Sequence, residues 1–245
     1  MDRRVVILVI LLSITLVLPL VLTALGVRTP LEVLELGKYY IRETIEDTAS
    51  PEAVAAVVWD YRGLDTIYET AVLYLAIVGG LAIFRAFEAS FLSRTVGLTT
   101  IARTSTRILG VLIAVISMCI ALHGHLTPGG GFPGGSALAV ATMLLIPVYS
   151  VQALLARGVT STRLVAIRGL ALTAIGLVAL LPVVKGLEIV TNQRFYPAEI
   201  FGFTISGSIS LYNIFEFLAV ASGFTALALY LSIPEEYARL GEAHD

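Results

Sequence analysis

"HGHLTPGGGFPGGS", residues 123–136, interrupts what would otherwise read as two consecutive membrane-spanning helices. Histidine, proline and glycine make up most of it. Pro128 disfavours helix at Thr127, and Gly129, Gly130 and Gly131 permit backbone geometry closed to other residues. Non-helical backbone at membrane depth is tolerated only where protein or water shelters it. Two readings follow: a packed re-entrant turn that docks neighbouring helices, or exposed carbonyls and His125 lining an ion path. The spacings Gly130/Gly134 and Gly131/Gly135 allow another helix to approach closely. His123 and His125, two apart, point to different faces and cannot jointly grip a metal or haem. The third histidine, His244, is far away in the tail, so no metal site and no cofactor is expected in this chain.

The surrounding chain has 245 residues, 57% hydrophobic and 14% charged. A soluble domain carries about a quarter charged residues, so an integral membrane protein is expected. The net charge of −2 lacks the basic footprint of a nucleic-acid binder. A lone cysteine, Cys119, rules out a disulfide framework and a cysteine-ligated metal.

A bilayer core of roughly 30 Å needs about 20 apolar residues of helix. Six spans are predicted, at 5–26, 66–87, 107–126, 134–156, 165–187 and 208–232. The first follows Arg3 and Arg4 and is too long for the apolar core of a signal peptide. Alternating the spans places ten Lys/Arg on one side and six on the other, which puts both termini in the cytoplasm. The fold expected is an all-α polytopic protein of the cell membrane. Residues 28–65 form the main extramembrane piece, with an amphipathic helix and a further helix start at Ser50-Pro51-Glu52. Residues 91–106 read as a cytoplasmic linker between a two-span module (1–90) and a four-span module (107–235), and 236–245 as a polar tail.

Charges within the spans are the next signal. Only 15 uncharged residues separate Glu69 from Arg85, too few to cross, so Glu69 is expected about one turn inside the boundary. It is either an interfacial carboxylate with a partner or a way-station for protons or sodium. Glu216 lies eight residues past Ser208, roughly 12 Å into the last span. It must face a partner helix, a cation or water, or be protonated. Asn213, three residues earlier, shares its face. Lys185 and Arg168 read as interface anchors.

"GHLTPGGGFPGG", residues 124–135, closely resembles the signature of the B subunit of Mrp-type multisubunit sodium/proton antiporters. His125, Pro128, Gly129, Gly130, Gly131, Phe132, Gly134 and Gly135 match position by position, and the resemblance covers about 107–232. Pro133 departs from the pattern, where the family commonly has an apolar or amide residue. "AVVWDYRGLDTIYETAVL", residues 56–73, looks like the C-terminal end of the antiporter's A subunit, with Asp60, Arg62, Gly63, Asp65, Thr66 and Glu69 in the matching places. In archaeal membrane-bound hydrogenases and their sulfur-reducing relatives that end is expected as a separate small subunit, so this chain looks like two subunits fused.

The resemblance implies a non-redox membrane subunit of a complex that moves Na+ and H+. Its partners would be antiporter-like membrane subunits, and iron–sulfur or nickel–iron redox subunits if the complex is a respiratory arm. Glu69, His125 and Glu216, with His123 and Asn213, are the ion-path candidates. A purely structural scaffold is the alternative. An intramembrane hydrolase using Ser136 and a histidine lacks an orienting acid, and a self-sufficient transporter lacks inverted repeats. Scarce Asn, Gln and Cys fit a heat-adapted, archaeal source.

Overall fold

A computed structural model describes residues 13, 17, 20, 21, 34–84 and 98–232. The expected first span falls outside the described residues apart from four helical positions, as do Arg85, residues 91–97 of the linker and the tail with His244. The chain divides into two compact units, 1–39 and 40–245.

Helix α1 is Glu35–Thr48 and carries the expected amphipathic segment. A short α2, Ala53–Ala56, opens on Glu52, whose carboxylate accepts the Ala55 N–H. Glu52 is therefore the cap, and Pro51 precedes it instead of occupying the first helical position. A single π-helical turn, Val57–Tyr61, leads into α3, Gly63–Phe84. Then come α4, Thr100–Leu122; α5, Gly131–Tyr149; α6, Val151–Ala156; and α7, Ser161–Leu180, which tightens into a 3-10 turn through Lys185. A two-residue antiparallel hairpin, β1 Glu199–Ile200 and β2 Phe203–Thr204, precedes α8, Ser208–Leu231.

Five of these helices (α3, α4, α5, α7 with its 3-10 extension, and α8) are long and apolar enough to cross a membrane. They answer the five later predicted spans, with shifted ends. Helix α4 begins seven residues early, inside the predicted linker, because the Thr99 side chain accepts the Ala102 N–H at 3.3 Å and caps it. The span predicted at 134–156 breaks at Ser150, which stands at φ 81° and whose hydroxyl caps α6 through Ala153 N–H at 3.4 Å.

Helix α8 lies at the centre, with α5 and α7 packed along it, α4 against α5, and α3 touching α7 and α8. Hydrophobicity cannot sort helices in lipid, so close approach by small residues must do so. Half of the fourteen buried residues of α8 are accordingly small: Ser208, Ala219, Ala221, Ser222, Gly223, Ala226 and Ala228. Gly131 and Gly135 of α5 face it. A Cβ on Gly135 would come within 2.8 Å of the Phe217 carbonyl and of Val220 Cβ, while one on Gly134 would come within 2.7 Å of Ser117 O on α4. Where α8 begins, Trp59 stacks on Tyr212 with ring centroids 4.6 Å apart, amid Ile175, Val178 and Ile209.

Candidate functional site

The break at 123–130 ends α4 and aims the start of α5 at α8. The Leu126 and Thr127 N–H groups fold back on His123 O at 2.8 and 2.9 Å, and Gly130 N–H returns to Ile120 O at 3.1 Å. Gly130 then takes φ 132°, a geometry nearly restricted to glycine. As N-cap of α5 it has no side chain to offer, so the first donors of α5 need partners elsewhere. They find them on α8. Asn213 Oδ1 accepts Gly131 N–H at 3.3 Å, and Glu216 Oε2 accepts Phe132 N–H at 3.0 Å. The third residue, Pro133, has no N–H to satisfy, and Gly134 N–H bonds Gly130 O at 3.1 Å. Every donor of the first turn is thus accounted for, and the helix dipole favours the carboxylate there.

This cap borders a cavity of about 250 Å³. Glu69 and Thr66 of α3, Trp59, the loop at Gly129 and Gly130, and Asn213 and Glu216 of α8 all line it. Glu216 is only 7% exposed, and its second carboxylate oxygen has no hydrogen-bond partner among the described residues. The Asn213 amide nitrogen is buried and likewise unpartnered. Glu69 itself is exposed. Two carboxylates, an amide and a helix start therefore border one small space, whose remaining walls include Val54, Ala55, Val58 and Phe132.

His125 is not among the residues lining this cavity. It is buried, its Nε2 lies 3.1 Å from Thr204 O of the hairpin, and its carbonyl accepts the Ser50 hydroxyl at 2.8 Å. Burial pushes its pKa below the ordinary 6.5, against the Thr204 bond, which raises it. His123 is exposed, with Nδ1 3.1 Å from Cys119 O at the end of α4. Ser136 Oγ makes no hydrogen bond, so the nucleophile–base pair of a hydrolase is absent among the described residues.

Residues 186–207 gather on Asn192, which reading the sequence missed. Its amide nitrogen donates to Asp60 Oδ2 at 2.9 Å and Thr48 O at 3.2 Å, and its oxygen accepts the Ser208 N–H at 2.8 Å. One side chain so ties α1, the π turn and the start of α8. Burial raises the Asp60 pKa, opposed by the Asn192 bond and reinforced by Asp47. Arg62 pairs with exposed Asp65 at 2.5 Å, Gly63 opens α3 against Val190, and the Thr66 hydroxyl donates to Val58 O at 2.5 Å.

Arg168 is no interface anchor, contrary to the sequence reading. It is 2% exposed, donates from Nη1 to Ala219 O at 2.7 Å, and lies 5.6 Å from the centroid of the Tyr74 ring. The cause is Gly223, whose missing side chain leaves a hole that the guanidinium occupies. The stem therefore turns inward instead of snorkelling. Lys185 remains exposed, 5.2 Å from the Phe195 ring centroid.

Residues 101–226 match the model of a domain related to the MnhB subunit of the Na+/H+ antiporter. The chain belongs to this MnhB-related family. An uncharacterized protein of Methanocaldococcus jannaschii is 30% identical to the MnhB-related chain over 209 residues, 74% of this chain and 77% of that protein. A chain of the archaeal membrane-bound sulfane sulfur reductase, a respiratory membrane complex, is 28% identical with TM-score 0.69, covering 94% of this chain and 98% of that one. A chain of the Mrp complex from Dietzia sp. superposes with TM-score 0.67 over 94% of this chain at 22% identity, a likeness of fold alone. The MnhB-related chain spans only 26% of that Dietzia chain.

The MnhB-related chain is thus a multi-pass membrane protein, and its matched domain contains the cap, Asn213 and Glu216. Glu69 comes from outside that domain, so the cavity is completed by the preceding segment. The likeness to the sulfane sulfur reductase chain extends over 94% of this chain, so it reaches beyond the matched domain into the preceding segment. Pro133, the departure from the signature, sits in the first turn of α5, where its lack of an N–H leaves no donor to satisfy.

Proposed function

We propose that this chain is a non-redox membrane subunit of a Na+/H+-translocating complex, and that the cavity at the start of α5 is a polar station on the cation path. The observation that carries the reading is the convergence of Glu69, Asn213 and Glu216 on one space beside a helix start. Intramembrane acids are costly and are kept where they handle charge or partner another group. Here Glu216 does partner a backbone donor, which also favours the scaffold reading. The stretch before α4 supplies Glu69, and its likeness to an A-subunit end supports a fused origin. The partners would be antiporter-like membrane subunits, with iron–sulfur or nickel–iron subunits if the complex is a respiratory arm. Na+ and H+ are cargo, and the chain needs no cofactor of its own.

Two variants of one residue separate the readings. Glu216→Gln keeps an oxygen that can accept Phe132 N–H, but it cannot release a proton or balance a cation. Glu216→Leu loses both functions. In vesicles holding the assembled complex, Glu216→Gln and Glu69→Gln are expected to preserve assembly and reduce Na+-driven proton movement at least tenfold. Full exchange in both glutamine variants, with assembly lost only in Glu216→Leu, would leave the scaffold role.

A further inference from the structure

At the other end of α5 a groove of about 360 Å³ opens between α4 and α5. Arg107, Gly110 and Ala114 form one wall, three and four residues apart on a single face. Leu138, Leu145 and Tyr149 run along the other, and Arg157 closes the mouth with its guanidinium 5.7 Å from the centroid of the Tyr149 ring. From Tyr149 to Leu138 is about 16 Å of helix, close to the roughly 15 Å depth of one leaflet. A Cβ on Gly110 would meet nothing within 4 Å, so the trough is open.

The charge at its mouth meets no carboxylate among the described residues. Residues 89–187 contain seven Arg and Lys and no Asp or Glu. Neither Arg107 nor Arg157 forms an ion pair among the described residues. An acidic protein segment would meet the two guanidinia, but it would gain nothing from an apolar trough one leaflet deep. An amphiphile with an anionic head and a hydrocarbon tail meets both.

We propose that this groove binds an anionic phospholipid, its phosphate between Arg107 and Arg157 and one acyl chain along Gly110 and Ala114. The site is independent of the cation cavity and stands whether or not that cavity conducts.

Native mass spectrometry of the intact, delipidated complex offered phosphatidylglycerol, phosphatidylcholine or inorganic phosphate tests it. The wild type is expected to retain phosphatidylglycerol over phosphatidylcholine. The double variant Arg107→Gln/Arg157→Gln should bind it roughly 30-fold more weakly, two basic residues' worth of attraction to anionic lipid. The Lys/Lys pair should recover most of this, which separates charge from misfolding. Gly110→Trp, with charges intact, should also expel the lipid by filling the trough. Equal retention of both lipids, displacement by inorganic phosphate, unchanged binding in the double variant, or crosslinking of Arg157 to a neighbouring subunit in lipid-saturated complex would each overturn the proposal.

Discussion

A carboxylate about 12 Å into a membrane helix cannot be left to acyl chains. At Glu216 the answer is a backbone donor 84 residues earlier in the chain. Charge-assisted bonds of this kind contribute about 1.5–3 kcal/mol, and neutral ones about 1. Asn213→Leu, which strips Gly131 of its acceptor, is expected to lower stability by about 1–2 kcal/mol. Thermal unfolding of the purified complex reads this, and an unchanged melting temperature would show the bond to be idle. His125 gives a pH signature. Its folded pKa is depressed by burial, so below about 6.5 the unfolded chain takes up a proton that the folded chain resists. Its contribution is therefore complete above pH 6.5 and lost progressively as pH falls beneath that value. The melting temperature of the wild type should fall on acidification from pH 7 to 5 more steeply than that of His125→Gln, and parallel curves would contradict it.

Helices α5 and α8 meet because one has glycines where the other has small residues and carbonyls. A side chain at Gly135 would push against the Phe217 carbonyl and Val220. Overpacking of this kind costs about 1–3 kcal/mol, so Gly135→Val should destabilise the chain and draw α5 off its cap. Hydrogen exchange at Phe132 N–H measures this, and retained protection would refute it. At this scale the sequence was informative about what is periodic and local. The apolar runs of α3, α4, α5, α7 and α8 and the close-approach role of Gly131 and Gly135 were visible. Residues acting across distance were not. Nothing local to Arg168 says that Gly223, 55 residues on, has made room for it. Asn192 sits in a polar loop like any other, and a hairpin of two-residue strands is too short to leave an alternation.

The whole molecule places two sets of polar groups at opposite ends of α5: acids and an amide at its start, and near its finish two arginines with no ion pair among the described residues. The candidate site was legible as a set of residues but not as a place. Glu69 and Glu216 stand out in the sequence for lying within apolar runs and Asn213 for sharing the face of Glu216, and only the folded chain brings them to one cavity. His125 joins them in the sequence as polar lining of the break between two spans, yet the turn sends its ring to the hairpin instead.

The long-range cap also sets an order of events. A ribosome releases α5 well before α8, and for some 80 residues of synthesis the Gly131 and Phe132 donors have no acceptor in their own chain. During that interval the start of α5 has to stay near water or in the keeping of an insertase. Chains stalled before Ser208 should therefore be recognised as unfinished and degraded, so α8 also licenses the earlier described helices to remain.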